Sequence, residues 1–295
     1  MKITSQAKLQ ILRDNPHVIA VFDLPAANGP RLHVLIDRSS VPHPLNLPAA
    51  LRETRVIVRG TRPFKTLILP RAQADTTCYD EPVPGGTQIQ PAGLPWVGTF
   101  GAPCSYRNID GNRRWGILSN WHVLCSGKAA KGHPIHQPVD SYPPLATLDR
   151  YLAVSPNQLN TFDAALANAK LDGKHTIANQ INFTGAFSSE IAQPTIGMTV
   201  RKTGRTTGLT DASCTAIGAC VRVSYGDFTA EFCGQAIFAS AQKTFSAPGD
   251  SGSLILDQDS FQPTALLFAG NDELTVGSPL GPIVSRFSLS FKFPE

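Results

Sequence analysis

The chain has 295 residues, of which 42% are hydrophobic and 16% are charged, a composition that excludes intrinsic disorder and allows a sizeable buried core. Its formal net charge of +4 comes from basic residues scattered along the chain, so we expect no nucleic-acid partner. No apolar run approaches the roughly 20 residues needed to cross a bilayer, so we expect no membrane partner.

The first 69 residues predict a small α/β domain. Apolar residues at helical spacing indicate a helix at residues 3–13, which ends before the Asn15-Pro16 pair. A short helix is expected around residues 47–53. Strand-like apolar runs lie at residues 18–22, 32–36, 56–58 and 66–69. One interpretation of such a domain is an accessory unit for folding or docking.

Residues 70–92 predict a linker, because the stretch Asp80-Glu81-Pro82-Val83-Pro84-Gly85-Gly86 lacks periodicity and is rich in turn formers. Residues 93–295 then carry many short apolar runs, separated by turn signals such as Asp110-Gly111-Asn112. Strands at this spacing predict a mostly β domain, either a sandwich or a barrel.

A serine between glycines is the most informative motif of this second domain. In Gly249-Asp250-Ser251-Gly252-Ser253 the glycines allow a tight turn whose backbone amides can point at a substrate carbonyl. The same pattern also describes ordinary turns. Its partners therefore decide between a nucleophile and a turn serine.

His122 and Asp163 are the candidate partners. His122 ends an apolar strand, and Asp163 follows 41 residues later, 88 residues before Ser251. A nucleophilic serine needs a histidine to take its proton and an acid to hold the imidazole. Asp163 could instead cap a helix that begins at the next residue, and Asp149 and Asp172 compete with it for the role of the acid.

Together with Gly204-Arg205-Thr206-Thr207-Gly208, these motifs resemble bacterial chymotrypsin-like (trypsin-fold) serine proteases over residues 93–295, in the order His, Asp, Ser. The segments 98–101 and 266–270 are most similar to a branch that includes relatives of the plant narrow-leaf proteins. The resemblance implies a double six-stranded antiparallel β-barrel, preceded by the small α/β domain. The first barrel would supply His122 and Asp163, and the second Ser251.

The resemblance also implies roles for the residues around the serine. The backbone amides of Gly249 and Ser251 would form the oxyanion hole. Asp250 would be a buried anchor of the same loop, paired with an internal cation from Lys202 or Arg205, since no Ile-Val-Gly-Gly start for trypsin-style activation exists in the sequence.

Substrate contacts follow from the same resemblance. Phe245 and Ser246 would lie at the base of the specificity pocket, and Phe268, Ala269 and Gly270 on the strand that pairs with the substrate backbone. Relatives often carry serine where Phe268 stands, so one hydrogen bond expected to support the catalytic acid is missing. Because no aspartate lies at the pocket base, we expect cleavage after a medium-sized apolar residue.

Six cysteines allow 15 pairings, and the sequence does not choose among them. Cys104 and Cys125 bracket the histidine strand, much as the histidine-loop disulfide does in the family. The N-terminus lacks the apolar core of a secretory signal, which predicts a cytoplasmic location, where free thiols are expected. No cysteine or histidine spacing supports a zinc site.

The sequence thus favours a serine endopeptidase that hydrolyses protein or peptide substrates through an acyl-enzyme, with no metal or organic cofactor. Two alternatives stay open. One is a catalytically silent peptide-binding or scaffold protein on the same fold. The other is a protease inhibited by its N-terminal region until that region moves or is cleaved between residues 70 and 92. The sequence also leaves self-association into a homo-oligomer open.

Overall fold

The computed structural model describes residues 3–27, 29–40, 44–51, 53–75, 77–79, 82–107, 111–169, 177–241 and 244–292. Within these ranges the chain is mostly β, as the sequence predicts, and has few short helices. In chain order the elements are α1 (Ser5–Asp14), β1 (Val18–Leu24), β2 (Arg31–Asp37), β3 (Val56–Thr61), β4 (Phe64–Thr66), β5 (Leu69–Pro70), β6 (Val83–Gly85), β7 (Gln88–Pro91), β8 (Trp96–Thr99), β9 (Ala102–Arg107), β10 (Arg113–Ser119), α2 (Trp121–Leu124), β11 (Pro134–His136), β12 (Pro144–Tyr151), β13 (Leu159–Asn160), β14 (Ala165–Ala169), β15 (Ile177–Ile181), β16 (Thr199–Gly204), β17 (Gly208–Ser224), β18 (Thr229–Ala239), β19 (Leu254–Asp257), β20 (Pro263–Gly270), β21 (Thr275–Pro279), α3 (Leu280–Phe287) and β22 (Leu289–Ser290).

The first barrel is built on a nine-stranded sheet in the order β22-β9-β10-β14-β12-β11-β7-β8-β5. Its central strands β9, β10, β12 and β14 are antiparallel neighbours. Strand β10 is buried from Gly116 to Ser119, and the short helix α2 follows it directly. The candidate histidine therefore leaves the barrel wall at the end of a rigid strand.

The second barrel comprises β16 to β21. Successive pairs run β18-β21-β20-β19-β16-β17, and an additional pairing of β17 with β18 closes the circle. All neighbours in this circle are antiparallel. Strand β20 is buried over its whole length, and its end at Ala269 and Gly270 also pairs with β4.

The N-terminal strands extend this second barrel. Strand β1 pairs with β17, with Ala20 opposite Val221, and continues through β2 to β3. Helix α1 buries Ile11 and Leu12 against these strands, and Thr4 caps it by accepting a hydrogen bond from the backbone amide of Ala7 at 3.2 Å. The predicted helix and the first two strands thus lie where the sequence places them, whereas the short helix expected around residues 47–53 is a 3-10 turn at Ala49–Leu51 among the described residues.

Residues 66–69, predicted as one strand, instead belong to two strands in different barrels. Strand β4 pairs with β17 and β20 of the second barrel, and β5 pairs with β8 of the first. The break falls at Leu67 and Ile68, where the chain crosses from one barrel to the other. Local apolar character predicts extended backbone here but carries no information about the change of partner.

The segment 70–92, predicted as a linker, contains β6 and β7. Strand β7 pairs with β8 and β11, and β6 pairs in parallel with β15. These pairings join distant parts of the chain, so local turn content does not reveal them. The predicted boundaries at 69/70 and 92/93 stay predictions, and Asp80 and Glu81 lie outside the described residues.

One disulfide joins Cys220 of β17 to Cys233 of β18. Cys104 and Cys125, the pair suggested by the family resemblance, are both buried free thiols. The Cys104 thiol donates to the Gly116 carbonyl, and the Cys125 thiol to the Trp121 carbonyl. The part of the chain that the structure describes contains no helix long and apolar enough to span a membrane.

Candidate active site

His122 and Asp163 are brought together by the pairing of β10 with β14. Ser119, at the end of β10, lies opposite Ala165, at the start of β14, so the residues just beyond these two ends become neighbours. His122 Nδ1 lies 2.6 Å from Asp163 Oδ2, and both side chains are buried. Asp163 precedes a strand, so the alternative in which it caps a helix at Ala164 is wrong.

The carboxylate of Asp163 has a full set of donors. Its Oδ1 accepts from the backbone amides of Trp121 at 2.7 Å and His122 at 3.3 Å. Its Oδ2, besides facing the imidazole, accepts from the hydroxyl of Tyr225 at 2.7 Å. Asn120 holds the Asp163 backbone carbonyl at 2.8 Å. These bonds fix the acid in one orientation and stabilise its charge.

Tyr225 is a site residue that the sequence does not single out. It lies just beyond the end of β17, stacked on Phe228 with ring centroids 5.0 Å apart. Burial of its hydroxyl and, as a smaller effect, the nearby charge of Asp163 raise the pKa of Tyr225 well above its usual range. The hydroxyl therefore keeps its proton and donates it in the hydrogen bond. Phe268 packs its ring on Phe232 and carries no side-chain donor, so the side-chain hydroxyl that donates to Asp163 is that of Tyr225.

Asp149, one of the two competing acids, has partners away from this site. Asp149 accepts from the hydroxyl of Tyr106 at 2.7 Å and pairs with Lys131 at 2.9 Å. These partners hold the pKa of Asp149 below its usual range against the opposing effect of burial. Asp172 lies outside the described residues.

The loop 249–252 depends on two glycines with left-handed backbone. Gly249 has φ +105° and Gly252 has φ +98°, values that strain other residues. A Cβ at Gly252 would lie 2.3 Å from the carbonyl oxygen of Thr99. The loop therefore packs directly against the first barrel. The two glycines are required because their φ values are positive and because no room exists for a Cβ atom.

The two amides predicted for an oxyanion hole converge on a single oxygen. The amide of Gly249 donates at 2.6 Å and that of Ser251 at 3.2 Å, and the acceptor of both is the backbone carbonyl oxygen of Leu67. Two donors aimed at one carbonyl oxygen are the arrangement that stabilises negative charge on that oxygen during acyl transfer. The loop thus holds the geometry that the motif predicts, with a carbonyl of the chain itself in place.

The hydroxyl of Ser251 contacts the same segment. It accepts from the amide of Leu67 at 2.9 Å and donates to the carbonyl of Phe268 at 3.2 Å. Ser251 is fully buried. Among the described residues, His122 Nε2 is buried without a hydrogen-bond partner. The His122–Asp163 bond is therefore formed in this state, while the Ser251 hydroxyl is turned to Phe268.

Asp250 is held below the loop by Lys202. Lys202 Nζ lies 3.4 Å from Asp250 Oδ2, and both side chains are fully buried. Lys202 also donates to the hydroxyl of Thr207 and, at 3.1 Å, to the carbonyl of Gly208. Burial lowers the pKa of Lys202, and the charge of Asp250 opposes that shift.

Arg205, the other candidate cation, makes no ion pair with Asp250 in the described structure. Its guanidinium donates to the carbonyl of Gln73 and to the hydroxyl of Thr206. Its aliphatic stem packs against Gly249, where an added Cβ would lie 2.7 Å from Cδ. Of the two candidates, the geometry therefore favours Lys202 as the partner of Asp250.

Three of the predicted substrate-binding residues, Phe245, Ser246 and Gly270, lie near the side chain of Leu67. Phe245 belongs to the same buried apolar cluster as Leu67, and Ser246 is buried with its hydroxyl 2.5 Å from that of Thr275. Ser246, Leu67 and Gly270 line a cavity of about 310 Å³. Ala269 and Gly270 pair antiparallel with Thr66 and Lys65. No group of three or more potential metal ligands lies together in the described ranges.

Comparison with known proteins shows the fold. No family model matches the sequence, and no curated protein does. Three solved bacterial structures resemble the chain. Cellulomonas bogoriensis chymotrypsin shares 19% identity at a TM-score of 0.50, covering 72% of this chain and 98% of its own. Thermobifida fusca protease A shares 16% sequence identity at a TM-score of 0.51, and Nocardiopsis protease shares 19% sequence identity at a TM-score of 0.51. Each of these two matches covers 70% of this chain and 97% of the other chain. The predicted chymotrypsin-type double β-barrel is thereby confirmed.

Proposed function

We propose that this chain is a serine endopeptidase, with Ser251 as nucleophile, His122 as general base and Asp163 as the acid that orients the imidazole. The observation that carries the proposal is the convergence of the Gly249 and Ser251 amides on one peptide carbonyl oxygen beside the Ser251 hydroxyl. The solved structures that share the fold are a chymotrypsin and two proteases by name, which supports the same reaction class.

The chemistry follows from the hydrogen bonds of the site. The bond to Asp163 places the imidazole proton on His122 Nδ1, so Nε2 is left as the base. For attack, the Ser251 hydroxyl gives up its bond to Phe268 and donates to Nε2. Its oxygen then adds to the substrate carbonyl, whose developing negative charge is held by the two amides. His122 next protonates the leaving amine, and water releases the acyl group by the reverse proton path.

Three further residues support this machinery. The Tyr225 hydroxyl and the Trp121 amide share the charge of Asp163, which favours the positive imidazolium that forms during attack. Lys202 anchors Asp250, so the amides on either side of Asp250 keep their direction. The similarity to relatives of the narrow-leaf proteins remains a sequence-based prediction about the branch of the family.

Covalent labelling with a fluorophosphonate tests the proposal, because this probe reacts with an activated serine. We expect slow but measurable labelling of the full chain at Ser251, found by peptide mapping, and none in Ser251→Ala. A scaffold protein without turnover would leave both chains unlabelled. Equal labelling of the two chains would place the reactive group elsewhere.

A further inference from the structure

Residues 64–70 pass through the candidate active site as one extended segment. On one side of Ser251, β4 pairs antiparallel with β20, with Lys65 opposite Gly270. On the other side, β5 pairs antiparallel with β8, with Leu69 opposite Val97. The segment therefore binds both barrels by strand addition, as an extended peptide substrate does. The Leu67–Ile68 peptide bond lies between the two pairings.

The Leu67 carbonyl occupies the position expected for a carbonyl under attack. Its oxygen accepts from both oxyanion amides, and its own amide donates to the Ser251 hydroxyl. A carbonyl held at this oxyanion site has its carbon next to the nucleophile. No other peptide can take the same place while Leu67 occupies it.

The side chain of Leu67 fills an apolar pocket. Leu67 is 5% exposed and shares its cluster with Phe245, Phe238 and Leu267. Its Cδ1 would lie 3.3 Å from a Cβ at Gly270, so the absence of a side chain at Gly270 opens the pocket wall. The pocket that Phe245 and Ser246 predict for a medium-sized apolar residue thus holds a leucine of the chain itself.

The N-terminal unit is anchored independently of Leu67. The guanidinium of Arg222 on β17 donates to the carbonyls of Leu12 at 2.7 Å and Val18 at 2.9 Å. Lys8 Nζ donates to the carbonyl of Gly218 at 2.6 Å. Together with the β1–β17 pairing, these contacts hold residues 64–67 close to the site whether or not the chain is cut after them.

We propose that residues 64–70 are the internal substrate and inhibitor of this enzyme, and that Ser251 cleaves the Leu67–Ile68 bond. The proposal rests on the serine endopeptidase function. Ser251 Oγ bonds to the Leu67 carbonyl carbon, and its proton passes to His122 Nε2. The carbon–nitrogen bond to Ile68 breaks, and the Ile68 nitrogen takes that proton as an amine. Water then hydrolyses the acyl-serine, which leaves a Leu67 carboxylate and restores Ser251.

The proposal has two consequences. After the cut, the Leu67 carboxylate stays on the oxyanion amides, since the N-terminal unit is still docked, so the enzyme remains inhibited until that unit dissociates. Other substrates would then be cleaved after leucine or an apolar residue of similar size. The processing bond lies directly before residues 70–92, rather than within them as the sequence suggests.

The test uses full-length chains: wild type, Ser251→Ala, Leu67→Asp and, as a matched control, Lys65→Asp. Residue 67 is buried in the apolar pocket, whereas residue 65 is exposed on the same segment. The new carboxylate is therefore buried in Leu67→Asp and exposed to solvent in Lys65→Asp. We expect intact mass and N-terminal sequencing to find fragments 1–67 and 68–295 in wild type and Lys65→Asp, and intact Ser251→Ala and Leu67→Asp. Because a buried carboxylate expels the segment, fluorophosphonate should label Leu67→Asp about tenfold faster than wild type or more.

Each other outcome has a defined meaning. Labelled protein that is never cut at 67–68, or is cut at another bond, overturns this proposal and leaves the proposed function standing. Equal labelling rates in wild type and Leu67→Asp overturn the inhibitory role of Leu67. If no variant is labelled or cut, the proposed function fails, and the self-cleavage proposal fails with it.

Discussion

Removing the Lys202 ammonium is expected to weaken both the fold and the catalytic loop. In Lys202→Met the side-chain length is kept while the charge is lost. Breaking a buried pair by removing one partner costs about 3–5 kcal/mol. Asp250 keeps four other donors, the amides of Thr206, Thr207 and Ala247 and the Thr207 hydroxyl. We therefore expect the low end, about 3 kcal/mol, which lowers Tm by roughly 6–12 °C for a chain of this size.

The neighbouring Arg201→Met change is the matched control. Arg201 pairs with Asp211 at 3.3 Å, and the Asp211 side chain is 52% exposed, so that pair contributes at most about 1 kcal/mol. Thermal unfolding is measured in the Ser251→Ala background, which prevents self-cleavage. The fluorophosphonate labelling rate of Ser251 is measured in the Leu67→Asp background, where we expect the cleft to be open.

In that second assay Lys202→Met is expected to label about tenfold more slowly or worse, because the oxyanion amides lose their support and each such donor is worth about 10²–10³ in rate. Arg201→Met should label at the rate of its parent. If the two variants unfold at the same temperature and label equally fast, the four remaining donors hold Asp250 without Lys202, and the reasoning is wrong.

Three further predictions concern the surroundings of the site. Tyr225→Phe removes a hydrogen bond to the Asp163 carboxylate, and such a bond is worth about 1.5–3 kcal/mol. In the Leu67→Asp background, where we expect the cleft to be open, kcat/KM for a leucyl peptide should therefore fall about tenfold or more. Tyr106→Phe loses the same kind of bond to Asp149 and should lower stability while leaving kcat/KM unchanged. Equal kcat/KM losses in the two variants would count against a role of Tyr225 in the proposed triad. Gly252→Ala places a side chain at a left-handed φ, where its Cβ would clash with neighbouring atoms. It should lower the free energy of unfolding in urea by about 3 kcal/mol or more. A smaller loss would mean that the loop can move away from these atoms. Iodoacetamide at pH 8 should modify the exposed Cys78 and leave Cys214 unmodified in the folded protein. Burial raises the pKa of Cys214 to about 11, so this side chain stays a thiol at pH 8. Rapid modification of Cys214, detected by mass spectrometry, would contradict this prediction.

Much of the catalytic geometry could be predicted because it depends on strand ends and on one tight loop. His122 follows an apolar run, and Asp163 precedes another. Once those runs pair as β10 and β14, the two side chains meet. Gly249 and Gly252 signal the loop locally, since few other residues accept a positive φ.

The remaining features depend on contacts between distant parts of the chain, which leave no local pattern. Tyr225 contacts Asp163 from the end of β17, 62 residues further along the chain, and no motif surrounds it. Lys202 and Arg205 are three positions apart on one segment, and only burial distinguishes them. The partners of residues 64–70 lie in two barrels, so the strand-like run at 66–69 gives no sign that the segment crosses the active site.

The most direct test of the central claim is the dependence of Ser251 labelling on His122. In the Leu67→Asp chain, where we expect the cleft to be open, peptide mapping after fluorophosphonate treatment should find the adduct on Ser251. Adding His122→Ala should slow the formation of this adduct by about 10²-fold or more. An adduct spread over exposed serines, or an unchanged rate without the imidazole, would show that Ser251 is not an activated nucleophile.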